Sequence, residues 1–570
     1  MGFSEAAQTM DDDSARHAVF NQSPPFEDVN LFATDRALAE AVAREGAQAS
    51  AERLAAFGAA CGSADALTLG RLANENPPRL RAFDPRGRRL DVVEFHPAYH
   101  RLLQISTTEG LHCSAWDHLK PAALGAAAAA APRPGANVAR SAGCYMAAQM
   151  EAGHQCPLTM TNAAVPTLLL EPGLAAWWVP KILKRAYDHS FSPAAAKSGV
   201  TIGMGMTERQ GGTDVRANTT RAAPVGRPGP GREYLITGHK WFMSAPMSDA
   251  FLVLANAAGG LSCFLMPRFL PDGSVNRLLL QRLKDKLGNR SNASCEVEFE
   301  RAHAWLIGEE GRGIAAILEM VTLTRLDCAV ASSGLMRLAL ANAIHHCRHR
   351  SVFQKRLVDQ PIMQQVLADL ALAVEAATAL SFRLARSFDR AADARAAAWR
   401  RLMTPVTKYW VCKIGPGLVY EAMECLGGNG YVEEGLAARL YRELPVNAIW
   451  EGSGNVMALD LLRVLQREAQ TVAIVVDDLA AAAAGDRRLE AQLAHVQGLL
   501  HEPRLLDRRA RELTEGLALL AAGTILRAHA PPAVADAFIA TRLQGPVHHT
   551  YGQGLEGADT RAIVDRAWPG

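Results

Sequence analysis

The chain is poor in several things at once. Aromatic residues make up 6% of it, and none of its ten cysteines pairs with another at Cys-x-x-Cys spacing. The cysteines stand at 61, 113, 144, 156, 263, 295, 328, 347, 412 and 425 among apolar neighbours. That pattern excludes a zinc ribbon and predicts reduced core thiols, with no metal site. Neither sign of charge dominates: 60 Lys plus Arg face 58 Asp plus Glu, a formal net charge of +2. A global pull on nucleic acid is thereby excluded, and binding it would need a local basic patch. Long apolar runs are missing too. The nearest, Ala122 to Ala131, is too short and alanine-rich to span a bilayer, so no membrane partner is expected. Asp11-Asp12-Asp13 sits where a leader would carry its apolar core, and the cytoplasm is the expected location. No repeat of fixed period is visible.

What is present is a hydrophobic content of 49% over 570 residues, enough for several domains or one multi-lobed unit. Residues 1–200 read as an N-terminal helical domain, with helix-forming composition at Leu38–Glu45 and Ala142–Met150. From 201 to 310 the character changes. Glu233–Met243, Phe251–Ala255, Leu261–Met266 and Ser294–Glu300 are short apolar or alternating runs between Gly and Pro turns, the mark of a small sheet or barrel. Helical patterns return over 311–464, with few breaks across 362–389, and continue through an appended region at 465–570. A helical bundle with a strand domain inserted in its middle explains this order.

Three stretches carry chemistry. In Gly203–Asp214 a dinucleotide-binding Gly-x-Gly-x-x-Gly would need glycine at 208, where Glu208 stands, and no βαβ unit surrounds it. The stretch is either a plain surface loop or an extended loop whose backbone and Thr hydroxyls contact a flat cofactor. Gly238–Ser244 carries Trp241, a core tryptophan or a wall beside such a cofactor. Trp450-Glu451-Gly452-Ser453-Gly454-Asn455 sets a carboxylate beside an indole and a tight turn. Desolvation raises a carboxyl's pKa and suits it to general-base work. The plainer alternative is a carboxylate at the N-terminus of a helix from Ser453 to Leu465.

In this order the three stretches resemble the signature segments of acyl-CoA dehydrogenases. Met206–Asp214 is similar to that family's Met-Thr-Glu-x-x-x-Gly-Ser-Asp, with Thr213 for Ser. Gly238–Ser244 is similar to its Gly-x-Lys-x-Trp-Ile-Ser/Thr, with Phe242 in the Trp slot and Trp241 before it. Leu306–Gly313, Thr324-Arg325, Arg350–Phe353 and Leu426–Tyr431 resemble further segments, and Trp450 replaces the Tyr of Tyr-Glu-Gly-Thr/Ser. Gln360-Pro361 departs from the family's Phe-Gln.

The resemblance implies a mainly α fold with a central β domain: a helical lobe, a β-barrel-like middle domain and a four-helix bundle, here followed by an extra C-terminal helical domain. It implies FAD as cofactor, an acyl-CoA substrate and α,β-dehydrogenation with Glu451 as catalytic base. Met206, Thr207, Gly212, Thr213, Trp241, Phe242, Ser244, Ser453 and Asn455 would line the flavin. Arg325 and Trp450, with Thr207, Thr213, Ser244 and Asn455, would line the substrate pocket. Arg350, Phe353, Gly427 and Gly428 would reach a neighbouring subunit's cofactor in a homotetramer.

Within the family the chain resembles the AidB branch, flavoproteins of the adaptive response to DNA alkylation. The segments Val19–Gln22, Gly70–Asn74, Gln155–Thr161, Leu283–Phe299 and Glu443–Asn455 carry this likeness. It implies a short or branched, isovaleryl-CoA-like substrate and binding of double-stranded DNA by the C-terminal region. Arg463, Arg504, Arg508 and Arg511 are the candidate phosphate contacts, the last three on one face of a helix. Residues 471–570 nevertheless hold 10 Arg and no Lys against 12 Asp plus Glu. The alternative is a DNA-protecting flavoprotein with vestigial dehydrogenase activity.

Overall fold

The computed structural model describes residues 19–120, 130–501, 506–544 and 549–569. Its N-terminal part is built from helices Arg36–Val42, Ala51–Cys61, Ala64–Glu75, Pro97–Glu109, Ala136–Met150, Gln155–Leu168 and Pro172–Ile182. Asp35 caps the first of these by accepting from the Leu38 N–H at 3.1 Å. That helix stops at Val42, short of the expected Glu45. The chain continues as a π turn in which Gly46 takes φ 96°, a conformation that glycine adopts without strain. The region is also not purely helical. A hairpin, β1 (Arg79–Phe83) and β2 (Arg89–Glu94), interrupts it. Its strands are short and largely solvent-facing, so they leave almost no apolar periodicity to read.

The strands expected in the middle form seven: β3 (Ile202–Gly205), β4 (Arg221–Pro224), β5 (Glu233–Ser244), β6 (Ala250–Ala257), β7 (Gly260–Pro267), β8 (Leu278–Leu283) and β9 (Ser294–Ile307). Pairings run β5–β4–β6–β7–β9, and β9 pairs back to β5, so the sheet closes on itself. Closure removes free edges and makes an interior. Tyr234, Ile236, Phe251, Val253, Phe264 and Val297 fill it. Between Lys240 and Met243 the β5–β9 register slips. Such a bulge re-aims side chains, and Trp241 and Phe242, though adjacent, both keep exposure to solvent here.

Three long helices follow, Gly313–His349, Pro361–Asp389 and Ala394–Glu424, and then Leu436–Asn447 and Gly454–Arg467. Pro361–Asp389 is long and apolar enough to cross a membrane, yet its apolar residues are buried inside the bundle. The last helices, Ala469–Ala483, Arg487–Leu500, Leu506–His529, Pro532–Ile539 and Thr560–Ala567, do not form a core of their own. Leu517, Leu520, Phe538 and Ile563 share one apolar cluster with Leu38, Phe382 and Trp410. Arg566 bridges Glu40 and Glu375, and Arg337 donates to the Ala567 carbonyl at 2.7 Å. The chain's last helix therefore ties the N-terminal lobe to the bundle.

Candidate active site

Glu451 lies in the turn between helices Leu436–Asn447 and Gly454–Arg467. Its backbone is left-handed, φ 57°, and Gly452 follows at φ 104°. A left-handed non-glycine residue costs roughly 1–2 kcal/mol, so the neighbours must hold it. Two cations do so. Arg325 Nε donates to the Glu451 carbonyl at 3.0 Å, and Lys408 Nζ donates to the Gly452 carbonyl at 2.7 Å. Arg325 is itself fixed by Asp460 at 2.7 Å, and Asp460 also receives Arg401.

The carboxylate points away from the helix that follows. Its Oε2 accepts from the Thr324 hydroxyl at 2.8 Å, while Oε1 has no protein partner among the described residues. Burial pushes the Glu451 pKa up, against the Thr324 hydrogen bond and the charges of Arg325 and Lys408. Glu451 is thus no helix cap. Ser453 holds the N-cap position, and its side chain makes no capping bond either.

In front of Glu451 lies an apolar wall. Cys156, Met160 and Ala245 form a small buried cluster, against which Met204, Met247 and Trp450 pack. Three distant segments meet there: helix Gln155–Leu168, the edge of the strand domain and the Glu451 turn. The Trp450 indole N–H is spent on Asn447 at 3.0 Å, which leaves its ring to the wall. Burial pushes the Cys156 thiol up to about 11, so it is a neutral wall group.

Sequence reasoning missed what joins the two strand-domain motifs. Glu208 and Lys240 form an ion pair at 2.7 Å with both side chains fully buried. Burial raises the Glu208 carboxyl, but hydrogen bonds from Lys240 and Thr220 outweigh it and hold it down at about 2. The Trp241 backbone N–H donates to the Thr207 carbonyl at 2.9 Å, so the Met206-Thr207 turn is pinned to strand β5. Lys284 stands 3.4 Å above the Trp241 ring. Ser244 Oγ lies 3.3 Å from Ser294 Oγ on the same side of the barrel. Gly212 and Thr213 sit on an exposed loop, and Asn455 is exposed in the first turn of its helix.

This donor set fits a flavin. Thr207, Thr213 and Ser244 offer hydroxyls, Gly212 packs on the Thr207 side chain with its backbone exposed, and Trp241 offers a flat ring. Among the described residues no group of three His, Cys, Asp or Glu could hold a metal.

Four expected cofactor residues are elsewhere. Thr324 lies about a third of the way along helix Gly313–His349 and Arg350 just past its end, about 39 Å apart at the usual rise. Arg350 donates to the Asn21 carbonyl at 2.7 Å, and Asn429, beside Gly427 and Gly428, donates to Gln22 at 3.1 Å. Phe353 is 95% exposed. The segment from Val19 thus links the Arg350 and Gly427 loops into one surface remote from Glu451.

The candidate DNA residues divide. Arg463 and Arg508 are exposed and make no ion pair among the described residues, whereas Arg511 donates to the Tyr409 hydroxyl at 3.0 Å. Arg504 lies outside the described residues.

Residues 21–189 match the family described as the adaptive response protein AidB N-terminal domain. Residues 203–302 match the acyl-CoA dehydrogenase middle domain, and 311–466 its C-terminal domain. Over 523 residues the chain is 49% identical to an Escherichia coli (strain K12) protein named as an acyl-CoA dehydrogenase, AidB, covering 92% of this chain and 93% of that one. It is 32% identical to acyl-CoA dehydrogenase family member 11 of Caenorhabditis elegans over 412 residues, 70% of this chain and 64% of that protein. The solved structure of Caenorhabditis elegans ACDH-11 in complex with C11-CoA superposes with a TM-score of 0.82 at 26% identity, covering 97% of this chain and 98% of that one.

Proposed function

Because the chain belongs to the acyl-CoA dehydrogenase family, and within it to the AidB branch, we propose that it removes the α and β hydrogens of a short or branched acyl-CoA, with isovaleryl-CoA as the test substrate. The fold is that of an acyl-CoA dehydrogenase, the protein is an oxidoreductase of that type, and FAD is its cofactor. We place it in the cytoplasm as a homotetramer, with the Arg350, Phe353 and Gly427–Gly428 surface turned to a neighbouring subunit.

One observation carries the reading. Glu451 is a half-buried carboxylate whose Oε1 has no partner among the described residues and whose backbone is clamped by Arg325 and Lys408. The α hydrogen of a thioester is weakly acidic, so its removal needs a base that water does not level. Burial makes Glu451 a stronger base than a solvated glutamate. Thr324 steers the carboxylate through Oε2 and leaves Oε1 to take the proton. Trp450, Met160 and Cys156 keep water from the acyl group. When bound, FAD supplies the hydride acceptor for the β carbon. Trp241, Thr207 and Ser244 are the residues that would hold its ring.

Turnover of isovaleryl-CoA with an artificial electron acceptor tests the reading. Mass-spectrometric detection of the enoyl product supports it, and its absence from FAD-loaded protein refutes it. A second reading draws on the exposed guanidinium groups of Arg463 and Arg508, which make no ion pair among the described residues: duplex DNA binding by a protective flavoprotein whose dehydrogenase activity is vestigial.

A further inference from the structure

We infer that the cavity between Phe95 and Tyr187 is a binding site for a small organic cation, a free alkylated ammonium compound of about the size of choline. The cavity has a volume of about 250 Å³, and Phe95, His100, Tyr187, His189, Glu94 and Asp188 line it. That volume is room for roughly eight waters. Met247 also lines it and packs against the Cys156, Met160 and Ala245 cluster, so it stands between this space and the wall that faces Glu451.

The lining decides the charge of the ligand. No Lys or Arg lines the cavity, and two carboxylates do. A hydrocarbon would leave those carboxylates unpaired, and an anion would be repelled by them. A metal ion fits no better, because no group of three His, Cys, Asp or Glu among the described residues could hold one. Rings beside acidic groups suit a cation whose charge is wrapped in alkyl groups. The rings are already in place. His100 and His189 stack at 4.1 Å, Tyr187 lies 5.9 Å from His189, and Phe95 meets His100 edge-on at 5.7 Å. His100 Nδ1 and the Tyr187 hydroxyl, 2.8 Å apart, satisfy each other and ask no hydrogen bond of the ligand. Burial, helped by the neighbouring His189, holds His100 down at about 4, so this ring is neutral at pH 7 and does not repel a cation. Burial raises the Asp188 carboxyl, but hydrogen bonds from Ser190 outweigh it and keep Asp188 below the usual range, hence charged. The neighbouring Lys197 spends its charge on Asp249 at 2.9 Å, and Arg81 engages one oxygen of Glu94, also at 2.9 Å. Leu103 is buried, whereas Glu94 and His189 are exposed, so alkyl groups find an apolar inner end behind an acidic mouth.

Calorimetric titration of the full-length, FAD-loaded protein with choline tests this, beside the uncharged isostere in which a tert-butyl group replaces trimethylammonium. Choline should bind saturably and about ten-fold tighter than the isostere. Asp188→Asn keeps the side chain's size and an acceptor for the Ser190 N–H, so the fold should hold. In that variant choline should weaken by about ten-fold while the isostere binds as before. His189→Ala removes an exposed ring and should weaken both ligands. Choline that binds no tighter than the isostere, or equally well to Asp188→Asn, would overturn the inference. Retention of the protein on phosphatidylcholine vesicles would overturn it too, because the ligand would then be a lipid head group and not a free compound.

Discussion

Replacing Thr324 by Val removes the one hydroxyl among the described residues that touches the Glu451 carboxylate and keeps the side chain's size. The lost bond, 2.8 Å to a charged oxygen, is worth about 1.5–3 kcal/mol. That bond favours the ionised carboxylate, so without it the deprotonated base becomes harder to form. The sign follows from burial. Glu451 already titrates above an ordinary glutamate, and as a base it works only when ionised. Activity is therefore lost as pH falls through its raised pKa, and removing the donor raises that pKa further. Stability moves the other way: a carboxyl raised by folding stabilises the fold at low pH and loses that contribution as pH rises through its folded pKa. The assay is kcat/KM for isovaleryl-CoA from pH 5 to 9. In Thr324→Val the acid limb should shift up while the alkaline plateau stays within about three-fold, and Thr324→Ser should leave the limb in place. The Thr324 hydroxyl also lies 2.9 Å from the Val321 carbonyl, and it has one hydrogen to give. An acid limb unmoved in the valine variant would mean that the hydrogen serves Val321, and the tuning argument would fail.

Lys240→Met leaves Glu208 charged, buried and unpaired, and should cost about 3–5 kcal/mol in denaturant unfolding. Adding Glu208→Gln should recover most of that loss, and no recovery would show that the pair is not what couples the two motifs. Glu208 is held at about 2, so its contribution is present above the unfolded glutamate pKa and should fade as pH falls toward 2, which acid titration of folding will read. Arg325→Met leaves Asp460 with Arg401 alone and frees the left-handed Glu451, so kcat should fall more than FAD affinity; equal losses would make Arg325 a merely structural residue. If duplex DNA lies on Arg463 and Arg508, the double alanine variant should weaken binding and lower the salt slope by about 2, as read by mobility shift at several salt concentrations.

How far the sequence could be read depends on the range of the signal. Glu451, Trp450 and Thr324-Arg325 were legible because each sits in a short motif, and the strands over 201–301 because alternation and turns are local. The bonds that make those residues work are not local. Thr324 and Glu451 are 127 positions apart, and Lys408 reaches a carbonyl 44 positions on. Lys408 and Asp460 carry no motif of their own, and Glu208 read as part of a loop when it is a buried anchor. The hairpin at 79–94 escaped notice because exposed strands need no apolar alternation. The 465–570 region read as an appendage because helical periodicity says nothing about what a helix packs against. Its tie to the N-terminal lobe runs through Arg566 to Glu40, 526 positions away.

Anaerobic titration of the FAD-loaded protein with isovaleryl-CoA, wild type beside Glu451→Gln, puts the central claim to the most direct test. Loss of oxidised-flavin absorbance in the wild type and none in the variant is the result this account predicts. Equal loss in both would contradict it, because the proton would then be leaving to a base other than Glu451.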